Sequence, residues 1–327
     1  MKRINTAKGP VEAGDLGNTL MHEHLTIAYP GTGTDTLRRG PAFRDMVAIC
    51  VDQIAELKDG GYSSLVDPCP NDLGRSVELM GEVAARTGFN LIFSTGLYNE
   101  HVGGNAYWQV KIATDKNAVR KLADVFIAEI TDGVPGSDGL KAGILKVGTG
   151  KGAITDYEKA VLSAAAIASK ATGTPITTHT DYVLGPEQVR FLKGQDMAAD
   201  QVVVGHCCGN PDHAYHMEVI GEGAYVGFDQ WGIPVHSNKD GADTVRIDSL
   251  MKIREAGRLD RVMISHDNVW CMQGEPYDPA FWDGFAAAQT PLHFIRNVAP
   301  QLKERGVTAE EIDLLTRQNP LRYFSKE

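Results

Sequence analysis

The chain has 327 residues, 43% of them hydrophobic, which is apolar material enough for one large α/β domain or two ordinary ones. A net charge of −10 with no concentrated basic stripe argues against nucleic acid or an anionic membrane surface as partner and leaves small-molecule chemistry. Five cysteines (Cys50, Cys69, Cys207, Cys208 and Cys271) without CxxC spacing argue against a disulfide framework. No apolar run is long enough to span a bilayer and the opening MKRINTAKGPVEAGD has no apolar h-region, so the cytoplasm is the expected location.

In chain order, the apolar and β-branched runs predict a strand near 17–24 and the helical spacing predicts a helix over 42–58 (AFRDMVAICVDQIAELK). Strands follow near 63–67 and 90–97, then a helix over 116–131, a strand near 142–147 and a helix over 156–171. Three more strands near 175–179, 202–206 and 224–228 precede a helix over 243–256, a strand near 262–266 and a helix over 291–304. Gly60 and Gly173 stand where helices should stop. No linker or composition shift divides these units, so residues 1–327 read as a single domain. Eight successive βα units favour a (β/α)8 TIM barrel over an open doubly wound sheet.

Polar residues collect at the C-terminal ends of the first, fourth, fifth, sixth and eighth strands, the face on which barrel active sites are built. His22 and His24 in LMHEHL are two residues apart, so a strand would place both imidazoles on one side, where they can share a metal. His179 ends PITTHT and His206 ends VVVGH, aiming two more imidazoles into the same mouth. Asp267 follows VMISH and can ligate a metal, take a proton from water, or do both. Lys146 in GILKVG falls where a ligand between the first and fifth strands would stand. Strand-end lysines are commonly solvated or ion-paired, but a neutral amine here could be carboxylated by carbon dioxide to an anionic carbamate bridging two metals.

HEH, the lysine of GILKVGTG, the histidines of TTHT and VVGHC and the aspartate of MISHD resemble, in this order, the phosphotriesterase family of the amidohydrolase superfamily, particularly its phosphotriesterase-like lactonases. The similarity runs from NTAKGP to GVTAEEIDLLTRQNPLRYF. It implies a barrel with a binuclear centre of two divalent ions, usually zinc and sometimes iron, cobalt or manganese. His22, His24 and Asp267 would hold the buried ion and His179 and His206 the more exposed one, with N6-carboxylated Lys146 and a hydroxide bridging them. The implied activity is hydrolysis of a lactone or carboxylic ester with Asp267 collecting the proton, and a homodimer is implied as well. Phosphotriester hydrolysis, amide hydrolysis and a non-catalytic metal- or ligand-binding barrel stand as alternatives.

Many relatives of the lactonase type carry an arginine after the seventh-strand aspartate, whereas this chain reads GFDQWG with Gln230, a neutral amide in place of a fixed cation. Tyr98 in STGLYNEH matches a tyrosine that in the lactonase group lies near the metals, and it either orients substrate or fills the barrel mouth. Trp231 and Trp270 follow strands and are either apolar pocket walls or buried packing. His266 should point away from the site if its strand stays regular. His213 and His216 read as solvated or capping, Cys207 and Cys208 as small core residues, and GTGKG at 148–152 lacks the spacing of a phosphate-cradling loop.

Overall fold

The computed structural model describes residues 2–234, 243–276 and 290–326. Eight strands form one parallel sheet: β1 (Thr19–Leu20), β2 (Ser64–Asp67), β3 (Asn90–Gly96), β4 (Ile144–Gly148), β5 (Ile176–His179), β6 (Val202–Val204), β7 (Tyr225–Phe228) and β8 (Val262–Ile264). Each pairs with its sequence neighbour, and Met21 N–H donates to the Ile264 carbonyl at 3.2 Å, bringing the last strand back to the first. This is the (β/α)8 barrel that the spacing predicts.

Period-two alternation sorts the strand residues. Val66, Ile92, Ile144, Val203, Tyr225 and Met263 share one buried cluster with Met21, just beyond β1, and with Tyr323 and Phe324. Leu65, Leu91, Leu145, Ile176, Val204, Val226 and Ile264 belong to the larger cluster that also takes in the buried helix faces. Lys146 lies two residues beyond Ile144 and therefore points to the same side of β4. The β4–β5 register sets Lys146 opposite Thr177 and Gly148 opposite His179, so the lysine and that histidine share a face.

The helices between the strands are α1 (Phe43–Asp59), α2 (Val77–Thr87), α3 (Ala106–Thr114), α4 (Ala118–Thr131), α5 (Asp156–Thr172), α6 (Gly185–Lys193), α7 (His213–Gly221) and α8 (Thr244–Glu255). In α5, Thr155 and Glu158 form a reciprocal capping box, and Gly173 ends the helix at φ 69°. The Glu158 carboxylate also accepts from Gly150 N–H at 2.9 Å and Glu100 N–H at 3.3 Å, tying α5 to the loops after β3 and β4 at the barrel mouth.

Two expectations change. The helix expected over 291–304 is a π-helical stretch at Phe294–Val298 running into an α-helix at Ala299–Glu304, at a point where Pro300 has no N–H to donate. The strand expected at 17–24 stops at Leu20, and a second strand, His24–Ala28, pairs in parallel with Val269–Gln273 above the barrel. Among the described residues no helix is long and apolar enough to cross a membrane.

Candidate metal centre

HEH therefore straddles a break between two strands, and Glu23 holds the break. Its Oε1 accepts from Ser265 Oγ, His266 N–H and His266 Nδ1, each at 2.8 Å, and its Oε2 from Asn268 N–H at 3.2 Å. Glu23 N–H bonds Val66 O at 2.9 Å and His24 N–H bonds Asn268 O at 2.7 Å, so the chain changes partners within two residues. The two imidazoles still meet, edge to face, with ring centroids 5.1 Å apart.

Asp267 and His206 lie beyond their strands in left-handed backbone, at φ 57° and 61°. A non-glycine residue there is held by its surroundings. Asp267 N–H bonds His22 O at 2.9 Å, and His206 N–H bonds the Asp229 carboxylate at 2.9 and 3.2 Å. As a result Asp267 Oδ1 stands 3.4 Å from His22 Nε2 and 3.3 Å from His24 Nε2. Two donors of one tetrahedral ion with bonds of about 2.0–2.1 Å would stand about 3.3–3.4 Å apart, so Asp267 Oδ1 has the spacing of a fellow ligand to each of the two imidazole nitrogens. His22, His206 and Asp267 also offer atoms within 4.8 Å of one another. Ring centroids of His22 and His206 are 4.9 Å apart, and those of His206 and His179 are 4.6 Å apart.

Lys146 is 1% exposed, with Nζ 3.4 Å from His22 Nε2 and no salt-bridge partner among the described residues. Burial lowers its pKa to about 8, against the opposing pull of Asp267 and Asp229, which makes the free amine needed for carboxylation accessible. Burial and the nearby Lys146 lower His22 to about 3, and burial lowers His179 to about 4, so both present neutral nitrogen lone pairs. His24 differs: burial pulls it down, but hydrogen bonds to Asp267 and Asp67 outweigh that and raise it, so a metal would displace a proton there. Burial pulls Asp267 upward, yet the surrounding His22 and His206 hold it well below the ordinary carboxylate range.

Behind the histidines stand carboxylates that the sequence reading passes over. Asp229, at the end of β7, receives His22 Nδ1 at 3.1 Å and His206 Nδ1 at 3.2 Å. Asp67, at the end of β2, receives His24 Nδ1 at 3.2 Å and the Leu25 and Cys69 N–H groups at 2.9 Å each. Asp67 and Cys69 with His24 make a second compact donor group. Asp67 is already engaged by two backbone donors, however, and the Cys69 thiol lies 3.1 Å from Leu73 O and is raised to about 11 by burial. That group orients His24. The rule that finds Lys146, a polar residue closing a strand on the mouth side, would also have found Asp67 and Asp229.

Tyr98 OH lies 3.0 Å from His179 Nδ1 and 3.3 Å from Nε2, at the site. Gln230 Nε2 donates to Asp267 Oδ2 at 3.1 Å. Trp231 is 1% exposed and packs against Phe228 and Phe294, the packing alternative, and Trp270 is half-buried against the same core. His266 is turned to Glu23 and the Phe294 N–H, away from the mouth. His216 is buried and bonds Cys207 O at 2.9 Å, and Cys207 and Cys208 are core residues.

Residues 2–324 match the model of the phosphotriesterase family. A phosphotriesterase homology protein from Mycobacterium tuberculosis is 33% identical over 340 aligned residues, covering 100% of this chain and 99% of the relative. The solved organophosphorus hydrolase from Deinococcus radiodurans superposes with a TM-score of 0.93 at 32% identity, over 99% of this chain and 97% of that one. A solved variant of a PTE-like lactonase from the same organism gives 0.92 at 32% identity, over 98% and 100% of the two chains. With the barrel and its mouth matched from one end to the other, the chain belongs to the phosphotriesterase family and is a metal-dependent hydrolase.

Proposed function

We propose that the chain hydrolyses a lactone or carboxylic ester at a centre of two divalent ions, preferably zinc. The observation that carries this reading is the placement of Asp267 Oδ1 at 3.3–3.4 Å from two imidazole nitrogens beside buried Lys146, which has no salt-bridge partner among the described residues. His22, His24 and Asp267 would hold one ion and His179 and His206 the other, with Lys146 as its carbamate between them. Such a pair supplies Lewis acidity toward a carbonyl or phosphoryl oxygen and activates water.

The remaining roles fall to the chain's own atoms. Asp267 divides its labour: Oδ1 faces His22 and His24, while Oδ2 faces Gln230 and is the atom placed to take the proton from attacking water and pass it to the leaving oxygen. Gln230 steadies that carboxylate without adding charge. Tyr98, with its hydroxyl at the His179 ring, orients the substrate oxygen or its leaving group. Burial raises the Tyr98 hydroxyl pKa well above the ordinary phenol value, so it stays a protonated hydroxyl and not a phenolate.

The name of the Deinococcus organophosphorus hydrolase supports a second reading, phosphotriester hydrolysis at the same centre. Metal-reconstituted protein assayed on lactones, aryl esters, amides and organophosphates separates the two. The proposal expects the highest kcat/KM on a lactone or ester; a higher value on a phosphotriester transfers the main activity to that class. Bound metal with no turnover on any of them would favour a binding protein.

A further inference from the structure

We propose that Asp181 is the positioning residue of His179: it decides which imidazole nitrogen is offered to the more exposed metal, and thereby how firmly that metal is held. The inference rests on the two-metal reading above.

An imidazole that ligates a metal must keep a lone pair on one nitrogen and carry its proton on the other. Three of the four histidines have that choice made by a deeply buried carboxylate, Asp229 for His22 and His206 and Asp67 for His24. His179 has no such partner on a strand. Tyr98 OH cannot choose, since it stands 3.0 Å from Nδ1 and 3.3 Å from Nε2 and a hydroxyl can donate or accept. Asp181 can. Its Oδ1 lies 3.1 Å from His179 Nε2, and an ionised carboxylate only accepts, so Nε2 carries the proton and Nδ1 keeps the lone pair. The resulting carboxylate–imidazole pair orients the ring and raises its basicity as a ligand.

The local backbone explains how a loop residue reaches the ring. Asp181 is two residues beyond His179, and the chain then turns through left-handed backbone at Tyr182 (φ 67°) and Leu184 (φ 63°) into α6. That keeps the carboxylate beside the end of β5. Among the described residues, His179 is the hydrogen-bond partner found for the Asp181 carboxylate. The charge of Lys151 also favours the ionised carboxylate. Asp181 keeps 29% of its side chain exposed and His179 keeps 14%, against 2–3% for the His22–Asp229 pair. His179 is thus the ligand with the most water-exposed support, so its metal should be the more easily exchanged of the two.

The test uses the full chain as parent, Asp181→Ala and Asp181→Asn, each stripped with chelator and titrated with zinc against a chromophoric competitor. Metal content is counted by elemental analysis after gel filtration. Asp181→Ala should weaken one zinc-binding step by about tenfold to a hundredfold and leave the other unchanged. The metal-free thermal midpoint should not move. Asp181→Asn, whose carbonyl can still accept from Nε2–H, should fall between parent and alanine variant. Both steps within twofold of the parent in Asp181→Ala, both weakened alike, or an asparagine variant no better than alanine would each overturn the proposal. A parent that binds no zinc overturns the two-metal reading itself, a result visible before any variant is compared.

Discussion

Asp229 carries the sharpest consequence of this geometry. Four close contacts converge on its two oxygens: Oδ1 is 3.2 Å from His206 Nδ1 and 2.9 Å from His206 N, and Oδ2 is 3.1 Å from His22 Nδ1 and 3.2 Å from His206 N. Replacing it with alanine would strand three buried donors at about 1–3 kcal/mol each, enough to endanger folding. Asp229→Asn is the informative change, because its amide is nearly the same shape but retains only one acceptor oxygen. The better orientation keeps that oxygen at the Oδ1 position, with its two His206 contacts, and turns the NH2 group toward His22 Nδ1.

Two donors then face each other unless His22 moves its proton to Nε2, the nitrogen 3.4 Å from Asp267 Oδ1. That move removes the lone pair a metal needs. Loss of such a supporting carboxylate weakens metal binding about 10- to 100-fold, equivalent to about 1.4–2.7 kcal/mol. Asp229→Asn should therefore weaken zinc binding by that factor in chelator competition. Restoring kcat should take a correspondingly higher zinc concentration. Parent-like zinc affinity in a folded Asp229→Asn protein would refute the tautomer reasoning and reduce Asp229 to a packing role.

Lys146→Ala should lose metal and turnover together, and a short carboxylate in solution should partly restore both by standing in for the carbamate; two metals and full activity in the variant, measured by elemental analysis and rate, would remove the bridging role. Asp267→Asn should keep the fold by circular dichroism and lose about 10²–10⁴-fold in kcat at matched metal content, since the amide cannot collect a proton. A loss confined to KM would move Asp267 to substrate binding. Gln230→Arg should change the ratio of kcat/KM among lactone, ester and organophosphate substrates, because it sets a cation and a planar donor fork against Asp267 Oδ2. A uniform change across substrates would show that Gln230 does not select among them.

The barrel is legible in the chain because burial on both faces writes near-continuous apolar runs such as QVVVGH and KAGILKVG, and the alternation within them survives in the fold. Ile144 and Lys146 share the inner face as period two demands. Less legible are the helices whose burial is slight or whose sequence reads as a break. In α3 no residue is fully buried and Tyr107 and Val110 are exposed, so no apolar stripe marks it. In α6 the opening Gly185–Pro186 looks like a turn, although proline in the first helical turn has no N–H to leave unpaired.

The site divides along the same physical line. Histidines closing strands stand out because imidazole is rare and its spacing is informative, and all four come together with Lys146 and Asp267. The carboxylates behind them are common residues whose meaning lies in a partner far away in sequence: Asp229 serves His22 across 207 residues, and Glu23 serves His266 across 243. Their strand-end position marks Asp67 and Asp229 as candidates, but nothing local says which histidine each one serves. Glu23 shows the limit most clearly, since alternation alone sends it to the opposite face from its two flanking histidines. It does point away from the ligand atoms, but there it gathers Ser265, His266 and Asn268 and so sets the course of the backbone that delivers Asp267. The residue between two candidate ligands therefore acts on the third. The strand break that simple periodicity does not foresee at HEH follows from the same set of hydrogen bonds.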